Sequence, residues 1–175
     1  MTIEMFNRAC DMLLGEEAGY VNDPNDPGGE TKWGVSKRSY PNLDIKNLTR
    51  EDAKTKVYKP DFWDYLELDS FPPRLAFLVF DSAVNESPFM AVYILQRALG
   101  VFADGRLGPI TKGAMRIATS TAQRLSDLCT EFVARRIVEE TKLSIWKVYD
   151  LGWSRRLAAQ PLRALAMEAP DGRVP

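Results

Sequence analysis

Glu17-Ala18-Gly19-Tyr20-Val21-Asn22-Asp23-Pro24-Asn25-Asp26-Pro27-Gly28-Gly29-Glu30-Thr31-Lys32-Trp33-Gly34 is the stretch on which the reading of this chain turns. Ahead of it, Ile3, Phe6, Cys10, Leu13 and Leu14 recur at helical intervals and predict an amphipathic helix. Glu17 continues that stripe, lying one turn beyond Leu13 and Leu14 and two turns beyond Cys10. If the helix runs on, the carboxylate points inward among apolar side chains. Burial favours the neutral acid and raises its pKa, as a general acid working near neutrality requires.

The loop that follows is built to be rigid. Pro24 and Pro27 fix two φ angles, the Asn and Asp side chains favour turns closed onto the backbone, and Gly28-Gly29 permits conformations that other residues resist. Such a loop can hold a second polar group opposite Glu17, and Asp26 and Thr31 are placed to orient a water beside a bond to be cut. Carboxyl groups paired across a cleft are the usual apparatus of glycoside hydrolysis. A calcium loop is the competing reading, with Asp23, Asn25 and Gly28 at the first, third and sixth positions of an EF-hand. Pro27 then occupies a liganding position and Gly34 stands where the bidentate glutamate belongs, so no metal is expected.

The quoted run, continued through Val35-Ser36-Lys37-Arg38-Ser39-Tyr40-Pro41, resembles the signature of glycoside hydrolase family 108, the phage and bacterial N-acetylmuramidases. Their motif is Glu-Gly-Gly-Tyr, and here Ala18 stands at the first glycine. The resemblance places the family's essential glutamate on Glu17. The order Glu, Asp, Thr also resembles phage-type lysozymes, whose spacing between the second and third residues is one longer than from Asp26 to Thr31.

Composition narrows the chemistry. The chain has 175 residues, a hydrophobic fraction of 45%, a charged fraction of 27% and a formal net charge of −1, as expected of a globular domain with no electrostatic reason to bind nucleic acid. It contains no histidine, which excludes Ser-His and Cys-His nucleophilic sites and His-ligated metals and leaves acid–base work to carboxylates. Cys10 and Cys129 each lie in an apolar helical pattern and read as two reduced core thiols. The N-terminus lacks the basic start, apolar run and cleavage site of a signal peptide, and no apolar run approaches a membrane span. The expectation is synthesis in the cytoplasm, without stable membrane insertion.

Downstream, Trp33-Gly34-Val35 reads as a short extended piece and Ser36 to Tyr40 as a brief helix stopped by Pro41. Trp33 has two readings of equal standing, a sugar-stacking platform and plain core. Thr49 caps a helix expected from about Arg50 through Tyr58, which Pro60 ends or bends. Phe62, Trp63, Tyr65 and Leu66 form an aromatic and apolar cluster read chiefly as packing.

Leu75 through Val84 is apolar on nearly every side and predicts a helix buried all round. Asp81 is its exception, and Asn85 shares its face one turn later. The family resemblance implies that both line the substrate groove, whereas the habit of buried polar groups implies an internal hydrogen-bonded pair. Ser87-Pro88 and Gly100 bound the next helix. Ala103-Asp104-Gly105-Arg106-Leu107-Gly108-Pro109-Ile110-Thr111 resembles an element of helical peptidoglycan-binding modules, although a turn followed by a helix start is written in much the same way. A long amphipathic helix runs from Thr121 to about Thr141, with Arg135-Arg136 read as a solvated edge. Tyr149-Asp150-Leu151-Gly152-Trp153-Ser154-Arg155-Arg156 resembles the Phe-x-x-Gly-Trp-x-x-Arg element near the end of family members.

The expected fold is mostly α and lysozyme-like, with at most a small β-hairpin beside the cleft. The expected division is a catalytic half over residues 1–87 and a helical half over 88–175, packed as one unit because no Ser/Gly/Pro-rich linker separates them. The resemblance implies cleavage of the β-1,4 bond between N-acetylmuramic acid and N-acetylglucosamine, without a cofactor. Glu17 would protonate the leaving oxygen and Asp26 and Thr31 would position or activate the water. Tyr20, Trp33, Asp81 and Asn85 would shape the groove. Lytic transglycosylation and a non-catalytic wall-binding or virion role are the rival readings. A monomeric phage endolysin, made in the host cytoplasm and released by a holin or another export route to periplasmic peptidoglycan, fits these features; a bacterial relative that remodels wall for secretion would look similar.

Overall fold

The structure is a computed structural model that describes residues 2–15, 19–22, 28–144 and 146–169. Its elements divide between two units, Met1–Tyr65 and Leu66–Pro175. The first unit opens with helix α1 (Thr2–Leu14), which buries Phe6, Ala9 and Cys10 and leaves Ile3 exposed. The helix stops short of Glu17. Gly15 takes a left-handed φ of 58° while its N–H still bonds Asp11 O at 3.2 Å, a glycine helix stop that the apolar stripe alone does not reveal. Glu17 itself lies outside the described residues.

Two short antiparallel strands, β1 (Thr31–Lys32) and β2 (Val35–Ser36), form the hairpin. Trp33 and Gly34, at φ 52° and 72°, make its two-residue turn, and positive φ at both central positions is what the right-handed twist of such a tight hairpin demands. Trp33-Gly34 is therefore the turn rather than part of a strand. The segment from Lys37 to Tyr40 turns without forming a helix, because the Ser36 hydroxyl and carbonyl bind Ser39 and the Tyr40 N–H and close the chain locally.

Helix α2 (Arg50–Ala53) begins as the sequence predicts, with Thr49 and Asp52 capping each other reciprocally. The helix then runs through Pro60 instead of stopping. It widens into a π-helix over Lys54–Asp64, whose buried Val57, Tyr58 and Trp63 hold the altered turns in place. Trp63 packs edge-on against Phe6 of α1 at 5.5 Å, which fixes the two helical segments of this unit together.

The second unit is organised around α3 (Pro73–Asn85), in which every residue from Leu75 to Ala83 is buried. It packs against α4 (Pro88–Leu99), α6 (Ala122–Thr141) and α7 (Trp146–Ala166), while α5 (Pro109–Ala118) lies on α4 and α6. The helix boundaries are those that local chemistry dictates. Ser87 accepts from Met90 N–H, Gly100 ends α4 at φ 69°, and Thr121 accepts from Arg124 N–H. The sequence signals missed α7 as a helix, because Gly152 and Pro161 interrupt its pattern and it is held by packing on α3 and α6.

The hairpin turn yields a direct test. A Cβ on Gly34 would lie 2.5 Å from Tyr58 Oη, the hydroxyl that donates to Trp33 O at 2.8 Å. Gly34→Ala must strain both the left-handed φ and this contact. We expect it to lower stability by about 1–3 kcal/mol in denaturant unfolding; an unchanged midpoint would show that the turn does not depend on glycine.

Candidate active site

Arg50, Trp33 and Tyr58 position the described part of the signature stretch. Arg50 Nη2 lies 3.3 Å from Gly15 O and 3.5 Å from Asp11 O, so its guanidinium caps the final carbonyls of α1. The same side chain pairs with Asp11 at 3.1 Å and sits 6.0 Å from the Trp33 ring centre. Trp33 Nε1 donates to Leu48 O at 3.2 Å. The geometry of Trp33 is thus that of a fixed turn residue, with its indole N–H already engaged and its ring half-buried.

Around the loop, Val21 and Thr31 exchange two backbone hydrogen bonds of 2.8 Å and close the stretch between them at its neck. The Thr31 hydroxyl lies 3.4 Å from Gly29 O, a long contact that leaves it available for another partner. Lys37 N–H donates to Glu30 O at 2.8 Å and Arg38 N–H to Gly28 O at 3.2 Å, which tether the far side of the loop to the segment after β2. Tyr20 donates its hydroxyl to Glu30 Oε1 at 3.1 Å. Desolvation, then the hydrogen bond and negative charge of Glu30, raise the Tyr20 phenol above its ordinary pKa, so it remains a donor. Glu30 is the residue that sequence reasoning passed over. It lies beside Thr31 within the signature, but only the fold places its carboxylate at Tyr20. Asp26, like Glu17, lies outside the described residues.

Asp81 and Asn85 lie at the other end of the expectation, in the second unit. Asp81 is 1% exposed, and its Oδ2 accepts from Arg136 Nη1 at 2.6 Å and from Gln160 Nε2. This is the geometry of the internal reading, with no oxygen presented at a surface. The Arg135-Arg136 pair is not a solvated edge. Arg135 pairs outward with Glu131, whereas Arg136 is 0% exposed and also binds Glu86 at 2.6 Å and Glu140 at 3.1 Å. Adjacent helix positions point about 100° apart, so two neighbouring arginines have opposite fates once α6 is docked. Asn85, by contrast, is exposed. Its Nδ2 donates to Asp81 O at 2.8 Å and its Oδ1 accepts from Arg156 Nη1 at 2.5 Å.

The wall-binding-like element is engaged within the protein. Gln96, 2% exposed, places its Nε2, with two hydrogens to donate, 2.8–3.0 Å from Asp104 Oδ1, Arg106 O and Thr111 Oγ1, and its Oε1 accepts from the N–H groups of Asp104 and Gly105. The Asp, Gly and Thr of that element are what lets one glutamine clamp the loop before α5. Burial pushes the Cys10 and Cys129 thiols up to about 12, so neither is a ready nucleophile. Among the described residues no group of side chains is arranged to hold a metal, and no helix is long and apolar enough to cross a membrane.

The described residues form a helical, lysozyme-like fold with a two-stranded hairpin beside the signature loop, and this fold is shared with a solved structure. Residues 10–86 match the family model described as glycosyl hydrolase 108. The chain superposes on the structure of Brucella abortus SagA with a TM-score of 0.80, at 27% identity over 94% of this chain and 96% of that one. No curated protein matches it. Together the family and structural matches support a glycoside hydrolase.

The buried cluster has a measurable pH signature. Glu86 is pushed up to about 7 by desolvation, opposed by Arg136 and reinforced by its hydrogen bond with Glu140, while Ser82 donates to its Oε2 at 2.7 Å. A carboxyl with a raised folded pKa binds its proton more tightly in the native state. Its contribution is complete below its ordinary value of 4.5 and is lost as pH rises to about 7. Glu86→Gln should therefore flatten the decline in stability across that window in thermal melts taken at successive pH values. A wild-type curve that rises through the same window would contradict this assignment.

Proposed function

We propose that the chain is an N-acetylmuramidase that hydrolyses the β-1,4 bond between N-acetylmuramic acid and N-acetylglucosamine in peptidoglycan glycan strands. The observation that carries this reading is the family match over residues 10–86, which contains the whole signature run from Glu17 to Gly34. The closed neck at Val21 and Thr31 supports it, since a loop held at both sides can keep a water-positioning group in place.

In this mechanism Glu17 protonates the glycosidic oxygen as the bond from that oxygen to the muramic C1 breaks. Positive charge develops on the sugar ring, and Asp26 with Thr31 holds and activates the water that adds to C1. The water's proton passes to the carboxylate and the product carries a free reducing end. Tyr20 borders the site, oriented by Glu30, and Trp33 contributes to the groove. No cofactor enters the reaction.

The biological setting we infer is that of a phage endolysin, made in the host cytoplasm and acting on periplasmic peptidoglycan once a holin or another route releases it. The support is the resemblance of the signature to phage muramidases. Expression in a Gram-negative host with and without a holin tests this role. Rapid lysis only with the holin is expected, and intact cells in both cases would remove it.

The activity itself is tested by digesting purified Gram-negative peptidoglycan with wild type and Glu17→Gln and analysing the products by mass spectrometry. Reducing N-acetylmuramic ends should form with wild type and fall by roughly a hundredfold or more with the variant, in keeping with loss of a general acid. Anhydromuramic ends would make the protein a lytic transglycosylase. Undigested wall that retains the protein would make it a binding module.

A further inference from the structure

Three lysines of the first unit meet at one turn without a carboxylate bonded to them. Lys32 leaves β1 half-buried and its Nζ donates to Lys46 O at 2.9 Å, while Lys37 Nζ donates to Leu43 O at 2.8 Å. Both acceptors belong to the turn from Leu43 to Lys46. That turn is fixed by Ile45, which is fully buried and whose carbonyl accepts from Leu48 N–H at 3.2 Å. Lys46 itself is exposed on it.

The acids nearby in the chain are turned to other partners. Asp44 stands within the turn, yet its Oδ1 accepts from Asn47 N–H at 3.2 Å and its Oδ2 from Asn47 Nδ2 at 2.9 Å. Those bonds first, and then the charges of Lys37 and Lys46, hold the Asp44 carboxyl below its ordinary pKa, so both ammonium groups act on the same spot. Glu30, two residues before Lys32, accepts from Tyr20 instead. Among the described residues, the ion pairs of this unit are made by Arg50, Lys54, Lys56 and Lys59, and none by the lysines of the turn.

An ammonium has three donor hydrogens, and a backbone carbonyl engages one while leaving the charge in place. The carbonyls thus mount Lys32 and Lys37 in position, and less side-chain freedom remains to be lost when an anion binds. The whole chain carries a formal charge of −1, so an anionic polymer is attracted only where cations are gathered locally.

The turn also adjoins the signature loop, since Lys37 N–H bonds Glu30 O and the neighbouring Arg38 N–H bonds Gly28 O. Side chains alternate along a strand, so Lys32 faces away from Thr31, its neighbour in β1. Cations beside the loop, on the face opposite the Thr31 hydroxyl, suit groups that hang from a glycan rather than the bond to be cut. In peptidoglycan those groups are short peptides with free carboxylates.

We propose that Lys32, Lys37 and Lys46 form an anchored cationic surface that binds the carboxylates of the stem peptides on peptidoglycan. The identity of the polymer rests on the muramidase reading, whereas its negative charge follows from the turn alone.

The test is retention on insoluble Gram-negative peptidoglycan, measured in a Glu17→Gln background so that the wall is not consumed. Three variants are compared with that parent: Lys37→Gln with Lys46→Gln, Lys37→Arg with Lys46→Arg, and Lys142→Gln, an exposed lysine of the second unit. The paired glutamine variant should raise the half-retention concentration by roughly three- to tenfold at low salt, the effect of two exposed charge contacts. The gap should close at about 0.5 M salt, where such contacts are screened. The arginine pair and Lys142→Gln should both bind like the parent. On wall whose carboxylates have been converted to neutral amides, and on glycan stripped of its peptides by an amidase, parent and paired glutamine variant should bind alike.

An equal shift for Lys142→Gln, or a gap that persists on amidated wall, would overturn the proposal. So would unaltered retention of the paired glutamine variant on native wall. A gap that persists on stripped glycan would assign the lysines to the lactyl carboxylate and remove the stem peptides, and tighter retention of the parent on DNA than on wall would make the surface one for nucleic acid. Both substituted lysines are exposed, and melting temperatures near that of the parent separate these outcomes from misfolding. Failure of the muramidase reading is seen separately, as wild type that releases no reducing ends. Retention on native and amidated wall still decides whether the turn binds carboxylates.

Discussion

The second unit depends on a guanidinium that has no access to water. Arg136 is completely buried, and its ion pairs with Asp81, Glu86 and Glu140 are all within 3.1 Å. Removing such a charge from water costs several kcal/mol, so the surrounding helices must deliver carboxylates to it with little tolerance in position. That requirement sets how α3 and α6 meet. Gln160 and Arg156 extend the same constraint to α7 through Asp81 and Glu140. A purely apolar interface could slide by part of a turn at small cost, whereas this one loses a buried partner if it slides. Burial within this cluster, reinforced by the hydrogen bond with Glu140, is what raises the Glu86 carboxyl to about 7 against the pull of Arg136.

The first unit solves a different problem, which is to present a loop. Around its apolar core, Arg50 joins separate segments by capping α1, pairing with Asp11 and lying over Trp33. The hairpin turn is then fixed from both faces, by Leu48 O at the indole and Tyr58 at the backbone carbonyl. The π-helix belongs to the same design. Its wider turns accept Pro60 and carry Tyr58 and Trp63 to the hairpin and to Phe6. These fixed points hold the two ends of the signature loop, and the Val21–Thr31 bridge closes it.

The hydrolysis proposed above would draw on the solution found in the first unit. The hydrolytic reading needs a protonated carboxyl and an oriented water, and the rigid neck of the loop serves the second need. Recognition of a polar substrate needs hydrogen-bonding groups that are ordered before binding, since ordering them afterwards lowers affinity. Tyr20 held by Glu30 has that character. There a charged side chain orients a neutral polar one.

The sequence by itself determined the helical class, the small hairpin, the buried character of α3 and most helix ends, because caps, glycine stops and apolar periodicity are local. Thr49, Ser87, Gly100 and Thr121 act within a few residues of their own position. The contiguous signature run likewise offered Glu17 as candidate acid and Asp26 and Thr31 as candidate water-positioning groups. What it could not determine is whatever depends on partners distant along the chain. Arg136 and Arg135 are adjacent and chemically identical, and only the docking of α6 on α3 buries one and solvates the other. Pro60 and Pro161 signal helix ends locally, yet packing carries helical segments through both. Glu30 and Arg156 gained partners only when folding brought them to Tyr20 and Asn85, ten and seventy-one residues away. Tertiary structure decided these outcomes because the energy of a buried charge or an oriented hydrogen bond belongs to a pair, and one member of a pair carries no local sign of the other.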